Sequence, residues 1–341
     1  MTRILSYNIL VGGGRRIDNI ERMLRAADPD VIGLVEATNQ DVVKELARRL
    51  DMEYRVNLSP DGAWRPSLAL LSRLPIVSST VHAHPELRPR SLLEVTVREE
   101  HGEHVTAFVT HLSASFAQRR GGDYLRRAEI AHILRILRAN HGPHVLMGDF
   151  NSLAPGDRLK ASNLLRYLIS LDQRNASSPN SAYGHPSLDF VIPSKLHFLI
   201  PCLRQIARSN LLCGLFDEAG SVYVSRSAIA ALKEAGYVDC FRYVNPRSWG
   251  FTCPSAAPAG RIDYIFANPL LATRLSGCKV VNDGEDVRGE DASDHLPVMV
   301  DFAVDIATTF RVRLESPVEA EEAVGDAFDR VFANLAAGDR A

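Results

Sequence analysis

HVLMGDFN, residues 144–151, decides how this chain folds. Its apolar part, 144–147, reads as a buried strand, and Asp149 and Asn151 fall just past the point where that strand stops. A carboxylate and an amide delivered at a strand end lie where open sheets build their sites. The same design recurs along the chain. SYN at 6–8 ends a strand in Asn8, VIGLVE at 31–36 ends one in Glu36, and FVTH at 108–111 ends one in His111. RIDYIF at 261–266 carries Asp263 inside a strand, and SDHLPV at 293–298 sets Asp294 and His295 just before one.

Between these points the pattern is α/β. A strand at 3–9, helical spacing at 17–27, a β-branched run at 31–35 and a helical stripe at 38–50 with Thr38 as its possible cap make β-α-β-α. From residue 67 the pattern becomes hairpin-like, with strands at 68–72, 76–82, 92–98 and 104–111 separated by turn signals. A helix at 123–139 leads into the 144–147 strand. A helix at 227–235 and strands at 261–267, 279–282 and 296–303 repeat the mixture toward the far end. Residues 155–225 read as an insertion, polar at 175–181 and apolar at 188–215. Beyond residue 310 the chain turns acidic, and Ser316, Pro317 and Glu319 predict a capped helix through Leu335. The expected organisation is one domain over 1–309 with that insertion, followed by an acidic C-terminal helix over 310–341.

Composition narrows the class of protein. The chain has 341 residues, 46% hydrophobic, with 39 basic against 41 acidic side chains and a formal charge of −2. No apolar run approaches the roughly 20 residues of a membrane span. The start, MTRILSYNIL, enters a strand-like run at once, so a cytoplasmic protein is expected. The five cysteines, an odd number without any CxxC, make neither a disulfide framework nor a zinc site. A near-zero charge sets up no global field toward nucleic acid or anionic membrane, so an anionic substrate needs a local site. Arginine far outnumbers lysine, which we ascribe to coding bias before anion binding.

Each polar residue alone has a structural reading. Asn8 could close a turn, Glu36 could cap a helix, and GDFN could be an Asx turn. Together they supply what metal-assisted hydrolysis of a phosphate ester needs: hard oxygen donors for a cation, a proton acceptor for water, and donors for the charge on the phosphoryl oxygens. GxSxG, HExxH and a Walker loop are all missing from the sequence.

In order and wording these segments resemble the endonuclease/exonuclease/phosphatase superfamily, over about residues 1–154 and 236–303. The resemblance implies a four-layer α/β/β/α sandwich of two mixed sheets flanked by helices, and a divalent-metal-dependent phosphoesterase using Mg²⁺ or Mn²⁺. It further implies Glu36 as principal metal ligand, Asn8 contacting the metal or holding Asp149, and Asp294 near the metal. Asp149 would activate water, Asn151 would orient it or bind phosphate, and His111 would donate to a phosphoryl oxygen. Asp263 would fix the tautomer of His295, which faces the scissile phosphate; either Asp149 or His295 could take the water's proton.

Two departures matter. Apurinic endonucleases have an acidic residue where this chain has Leu10 and a tyrosine where it has His111, so it does not resemble an abasic-site enzyme. The glutamate that pairs with the first histidine in deoxyribonucleases has no counterpart after LLSRLPIV, where Arg73 stands as either a phosphate contact or a structural one. A phosphodiesterase is the leading expectation, with a small or single ester preferred over long duplex DNA. A non-catalytic binding protein and non-phosphate biosynthetic chemistry are the alternatives. The insertion is expected either to pack as extra core or to wall the pocket.

Overall fold

Strand β1 (Thr2–Asn8) is buried at all but one position, which marks it as central. It pairs in parallel with β2 (Val31–Val35) after helix α1 (Ile17–Ala27) crosses one face of the sheet. Helix α2 (Gln40–Leu50) then leads to β3 (Glu53–Val56) and β4 (Leu68–Ser72). The structure is a computed structural model that describes residues 1–57, 67–83, 92–114, 119–177 and 194–304. The expected C-terminal helix and residues 188–193 of the apolar stretch lie outside them. The chain divides into Thr2–Phe302, which carries all the sheets, and a unit of Met1 with Ala303–Ala341.

The hairpin region forms β5 (Ile76–His82), β6 (Leu92–Arg98) and β7 (His104–His111), and α3 (Arg119–Ala139) returns the chain to β8 (His144–Asp149). Helix α4 (Ala161–Ser177) opens the insertion. Later come β9 (Val238–Asp239), β10 (Asp263–Ala267), β11 (Leu275–Val280), the small pair β12 (Asp283–Gly284) and β13 (Val287–Arg288), and β14 (Val298–Phe302). Two six-stranded mixed sheets result, ordered β11-β14-β1-β2-β4-β3 and β5-β6-β7-β8-β10-β9.

Both sheets are covered on both faces, which explains why their central strands read as continuous apolar runs instead of alternating ones. Ile4, Val31, Val145, Met147 and Ile265 meet in the core between the sheets. Leu5, Tyr7, Ile32 and Leu34 face the other way, against Ile20, Met23 and Leu24 of α1 and Val43 and Leu46 of α2. Phe108, Leu146 and Phe266 of the second sheet pack on Ile130, Ile133 and Leu137 of α3. That is the α/β/β/α sandwich. The sheets approach closely at Gly33, where a Cβ would stand 2.5 Å from Met147 Cε.

Several boundaries differ from the sequence reading. α2 is capped by Asn39, whose side chain accepts from the Asp41 and Val42 amides, and not by Thr38. β11 begins at Leu275, four residues ahead of the expected strand, because pairing with β14 recruits a polar segment that periodicity does not mark. In its described residues the insertion is mainly helical, with α4 joined by helices Ile200–Ile206 and Asn210–Tyr223 around a small cluster that includes Leu165, Leu168 and Leu203. It is tied to the sandwich by the Lys160 amide on the Ala259 carbonyl at 2.7 Å and by Asn163 Nδ2 on the Pro258 carbonyl at 3.0 Å. Phe198, from the described end of the apolar stretch, is 73% exposed, so that stretch does not pack throughout as core. No helix among the described residues is long and apolar enough to cross a membrane.

Candidate active site

Strand polarity collects the polar strand ends at one edge. β1 and β2 are parallel, so Asn8 and Glu36 emerge together; β7 and β8 are parallel, so His111 and Asp149 do, as register partners. β10 runs antiparallel to β8, which sets its first residue, Asp263, directly opposite Asp149. β14 runs antiparallel to β1, so His295, three residues before it, reaches the same edge. The 293–295 segment is held there by Ser293, whose Oγ donates to the Asn8 carbonyl at 2.7 Å.

Asp149 is the hub of the group. Asn8 Nδ2 lies 3.2 Å from both Asp149 Oδ2 and Glu36 Oε1, one amide spanning two carboxylates. His111 Nε2 is 3.5 Å and His295 Nε2 3.9 Å from Asp149 Oδ2. His295 Nδ1 sits 2.8 Å from Asp263 Oδ2. The Asn151 amide N–H donates to Asp149 Oδ1 at 2.9 Å, while its side-chain Nδ2 donates to the Leu112 carbonyl at 3.0 Å and lies 3.2 Å from His111 Nε2. Asp294 is less engaged: its side chain meets Ser293 Oγ at 3.4 Å, and it lines a neighbouring cavity.

Backbone geometry explains why these residue types occur here. Gly148 has φ +143, and a Cβ there would collide with the Thr110 carbonyl of the adjacent strand, so GDFN needs its glycine. Glu36 and Asn151 hold left-handed φ values of +57 and +47, uncommon for side-chain-bearing residues and concentrated at functional sites. Glu36 Oε2 accepts the Val11 amide at 2.8 Å, which orients the carboxylate.

Burial dominates the electrostatics. Burial raises the pKa of Asp149, and the neighbouring Asp263 charge adds to the rise. At His295 burial opposes the charged ring, yet Asp263, Cys253 and Asp294 outweigh it and hold the imidazole well above its ordinary value. The result is a proton-holding imidazole beside a carboxylate with raised basicity.

Hard oxygens suit a divalent cation, and the edge supplies them. Glu36 and Asp149 converge on one amide, and a cation would offset the crowding of negative charge around Asp149. Asp149, Asp263 and His295 also group three potential ligand atoms within 4.8 Å of one another, although the His295–Asp263 hydrogen bond already occupies one nitrogen there.

Reading motifs one by one overlooked the supports. Thr252 Oγ1 accepts the Ile262 and Asp263 amides at 3.1 and 3.3 Å. Arg261, 1% exposed, grips Asp239 through two bonds of 2.7 Å and Asp157 through one of 2.8 Å. Its position beside IDY was the available signal. Arg73 pairs with Asp28 at 2.6 Å and so serves as a structural contact. A cavity of about 200 Å³ beside Asp294 is lined by Leu10, Arg16, Ser255 and, from the insertion, Tyr167.

Over residues 5–295 the sequence matches the endonuclease/exonuclease/phosphatase family model. With two packed six-stranded sheets and a carboxylate–imidazole group at one edge, the chain belongs to that family, whose members are metal-dependent phosphoesterases. No curated protein matches the sequence. Similar solved structures include an AP endonuclease from Archaeoglobus fulgidus, 17% identical with a TM-score of 0.57, covering 89% of this chain and 100% of that one. The 3′ phosphatase NExo from Neisseria, bound to product DNA hairpin, is 16% identical with a TM-score of 0.55, covering 89% and 100%. A humanized D. rerio TDP2 is 16% identical with a TM-score of 0.54, covering 89% and 99%. These likenesses are of fold.

Proposed function

We propose that this chain is a divalent-metal-dependent phosphodiesterase that hydrolyses its ester by in-line attack of water. The convergence of Asn8, His111 and His295 nitrogens on the Asp149 carboxylate carries this reading. Asp149 accepts the water's proton, since Asp263 secures the proton on His295 and leaves that ring a donor to the phosphoryl oxygens. His111 donates to a second phosphoryl oxygen, and Asn151 orients the water or the phosphate. Glu36, with Asn8 and Asp294, is the set that holds Mg²⁺ or Mn²⁺, which when bound polarises the phosphoryl oxygen and acidifies water.

A small or single ester is the preferred substrate over long duplex DNA. Support comes from the insertion reaching this edge, where its Tyr167 lines the roughly 200 Å³ cavity beside Asp294, and from the formal charge of −2. The test is hydrolysis of bis-p-nitrophenyl phosphate, p-nitrophenyl phosphate and plasmid DNA with Mg²⁺ or Mn²⁺. The diester should turn over fastest, EDTA should abolish it, and Asp149→Asn should lower kcat by about two to four orders of magnitude. Full activity in EDTA, or plasmid cleavage outpacing the small diester, would sink the reading.

A further inference from the structure

A second cavity, of about 320 Å³, opens between the start of the insertion, Pro155–Arg158, and the 246–249 loop. Its volume is at the lower end of the roughly 300–1,000 Å³ of small-molecule sites, room for about one nucleotide unit. None of the carboxylates and imidazoles at the catalytic edge lines it.

Its charge is one-sided. Three arginines, Arg158, Arg242 and Arg247, line it against a single acid, Asp157. Both oxygens of Asp157 are already used, one by Arg242 at 2.8 Å and the other by Arg261 at 2.8 Å. Arg242 also donates to the carbonyls of Asn245, Pro246 and Ser248, so it builds the wall and is not available to a ligand. Arg247 is exposed and makes no hydrogen bond or ion pair among the described residues. Among the described residues the Arg158 side chain meets only Glu218, at 3.3 Å in an exposed pair that an anion readily replaces.

The rest of the lining is Trp249, Gly156, Ser248 and the prolines Pro155 and Pro246, and Lys160 Nζ stands 5.7 Å from the centroid of the Trp249 ring. Trp249 is 49% exposed, with its ring braced by Phe251 at 5.4 Å between centroids. Gly156 brings side-chain-free backbone to the cavity, and open space surrounds the position a Cβ would take. Guanidinium forks match phosphate oxygens, and an indole face accepts a nucleobase irrespective of sequence.

We propose that this cavity binds a nucleoside monophosphate unit, with its phosphate on Arg247 and Arg158 and its base on Trp249. The proposal concerns binding and holds independently of turnover at the catalytic edge. The unit comes either from a free nucleotide or from the end of a nucleic acid chain.

The chain has two tryptophans, so Trp64→Phe leaves Trp249 as the sole indole reporter. In full-length protein carrying Trp64→Phe and Asp149→Asn, which blocks turnover, AMP should change Trp249 fluorescence saturably, and calorimetry should give the same affinity. Adenosine and inorganic phosphate should each bind about tenfold or more weakly than AMP, since each offers half of the contacts. Arg247→Glu and, separately, Arg158→Ala should weaken AMP binding, the former by about tenfold or more because it also repels the phosphate. A short oligodeoxyadenylate binding more tightly than AMP assigns the unit to a chain end; equal or weaker binding assigns it to a free nucleotide. No binding of AMP at millimolar concentration by either method, or unchanged affinity in both arginine variants, overturns the proposal. Absence of ester hydrolysis in the parent protein, which keeps Asp149, with AMP binding intact would count against the phosphodiesterase reading alone.

Discussion

Asp263 lies directly opposite Asp149 in the antiparallel register of β8 and β10, and His295 bridges the two, 2.8 Å from the first and 3.9 Å from the second. Two carboxylates facing each other in a buried edge repel, and the proton held on the imidazole between them relieves that repulsion. The arrangement makes His295 and Asp263 a coupled pair. Removing His295 with His295→Ala should lower kcat by about two to four orders of magnitude. Asp263→Asn should cost less, because it leaves the ring in place with a weaker partner. The double variant should be no slower than His295→Ala alone; multiplicative losses would show that Asp263 acts independently.

Glu36→Gln removes a charge without changing shape. The variant should keep its circular dichroism and thermal transition while calorimetry shows weakened Mg²⁺ and Mn²⁺ binding. Unchanged affinity would move the cation away from Glu36, toward the Asp149, Asp263 and His295 trio.

Arg261 neutralises two buried acids from beneath the site and stacks on Tyr264, its guanidinium carbon 4.5 Å from the ring centroid. Arg261→Met keeps most of the volume but strands Asp157 and Asp239. Breaking a buried pair from one side costs about 3–5 kcal/mol, so urea unfolding should shift by that amount. Adding Asp239→Asn to the variant should recover part of the loss; no recovery would mean that packing on Tyr264, and not charge, is what Arg261 supplies.

His144 gives a pH dependence with a definite sign. Its Nδ1 bonds the Gly142 carbonyl at 2.8 Å and its Nε2 meets the Tyr237 hydroxyl at 2.8 Å. Burial lowers its pKa, and the Gly142 carbonyl offsets only part of that. Above the unfolded value of about 6.5 both states are neutral. As pH falls below it the unfolded chain takes up a proton that the native state resists, so stability declines until the native pKa is passed. His144→Gln should therefore lose less stability than the parent chain between neutral pH and mild acid. Parallel stability curves would refute the assignment.

Much of the α/β framework was legible in one dimension. The 17–27 helix buries Ile20, Met23, Leu24 and Ala27 at helical spacing, and the strands at 31–35, 68–72, 76–82, 92–98 and 104–111 form over the expected residues. Apolar periodicity and turn residues are local signals; they mark the buried strands by their apolar runs and the largely exposed 76–82 strand by its β-branched residues and the turn signals around it. The polar residues at the strand ends stood out for the same reason, as abrupt stops in apolar runs.

Pairing decided the rest. Nothing local in RIDYIF or HVLMGDFN says that Asp263 faces Asp149; the antiparallel register of two strands more than a hundred residues apart does. Asn8 holds two carboxylates only because β1 lies beside β2 in one sheet and across from β8 in the other. Arg261 looks like a surface charge in sequence and is buried in the structure, because the two aspartates that neutralise it come from Asp157 and Asp239, distant segments brought under the same sheet edge. Sequence alone marked the long strands and the polar residues at which their apolar runs stop, but not the shorter strands β3, β9, β12 and β13. Tertiary structure determined which of those side chains meet, because hydrogen-bonded register and the stacking of two sheets are set by contacts between residues far apart in the chain.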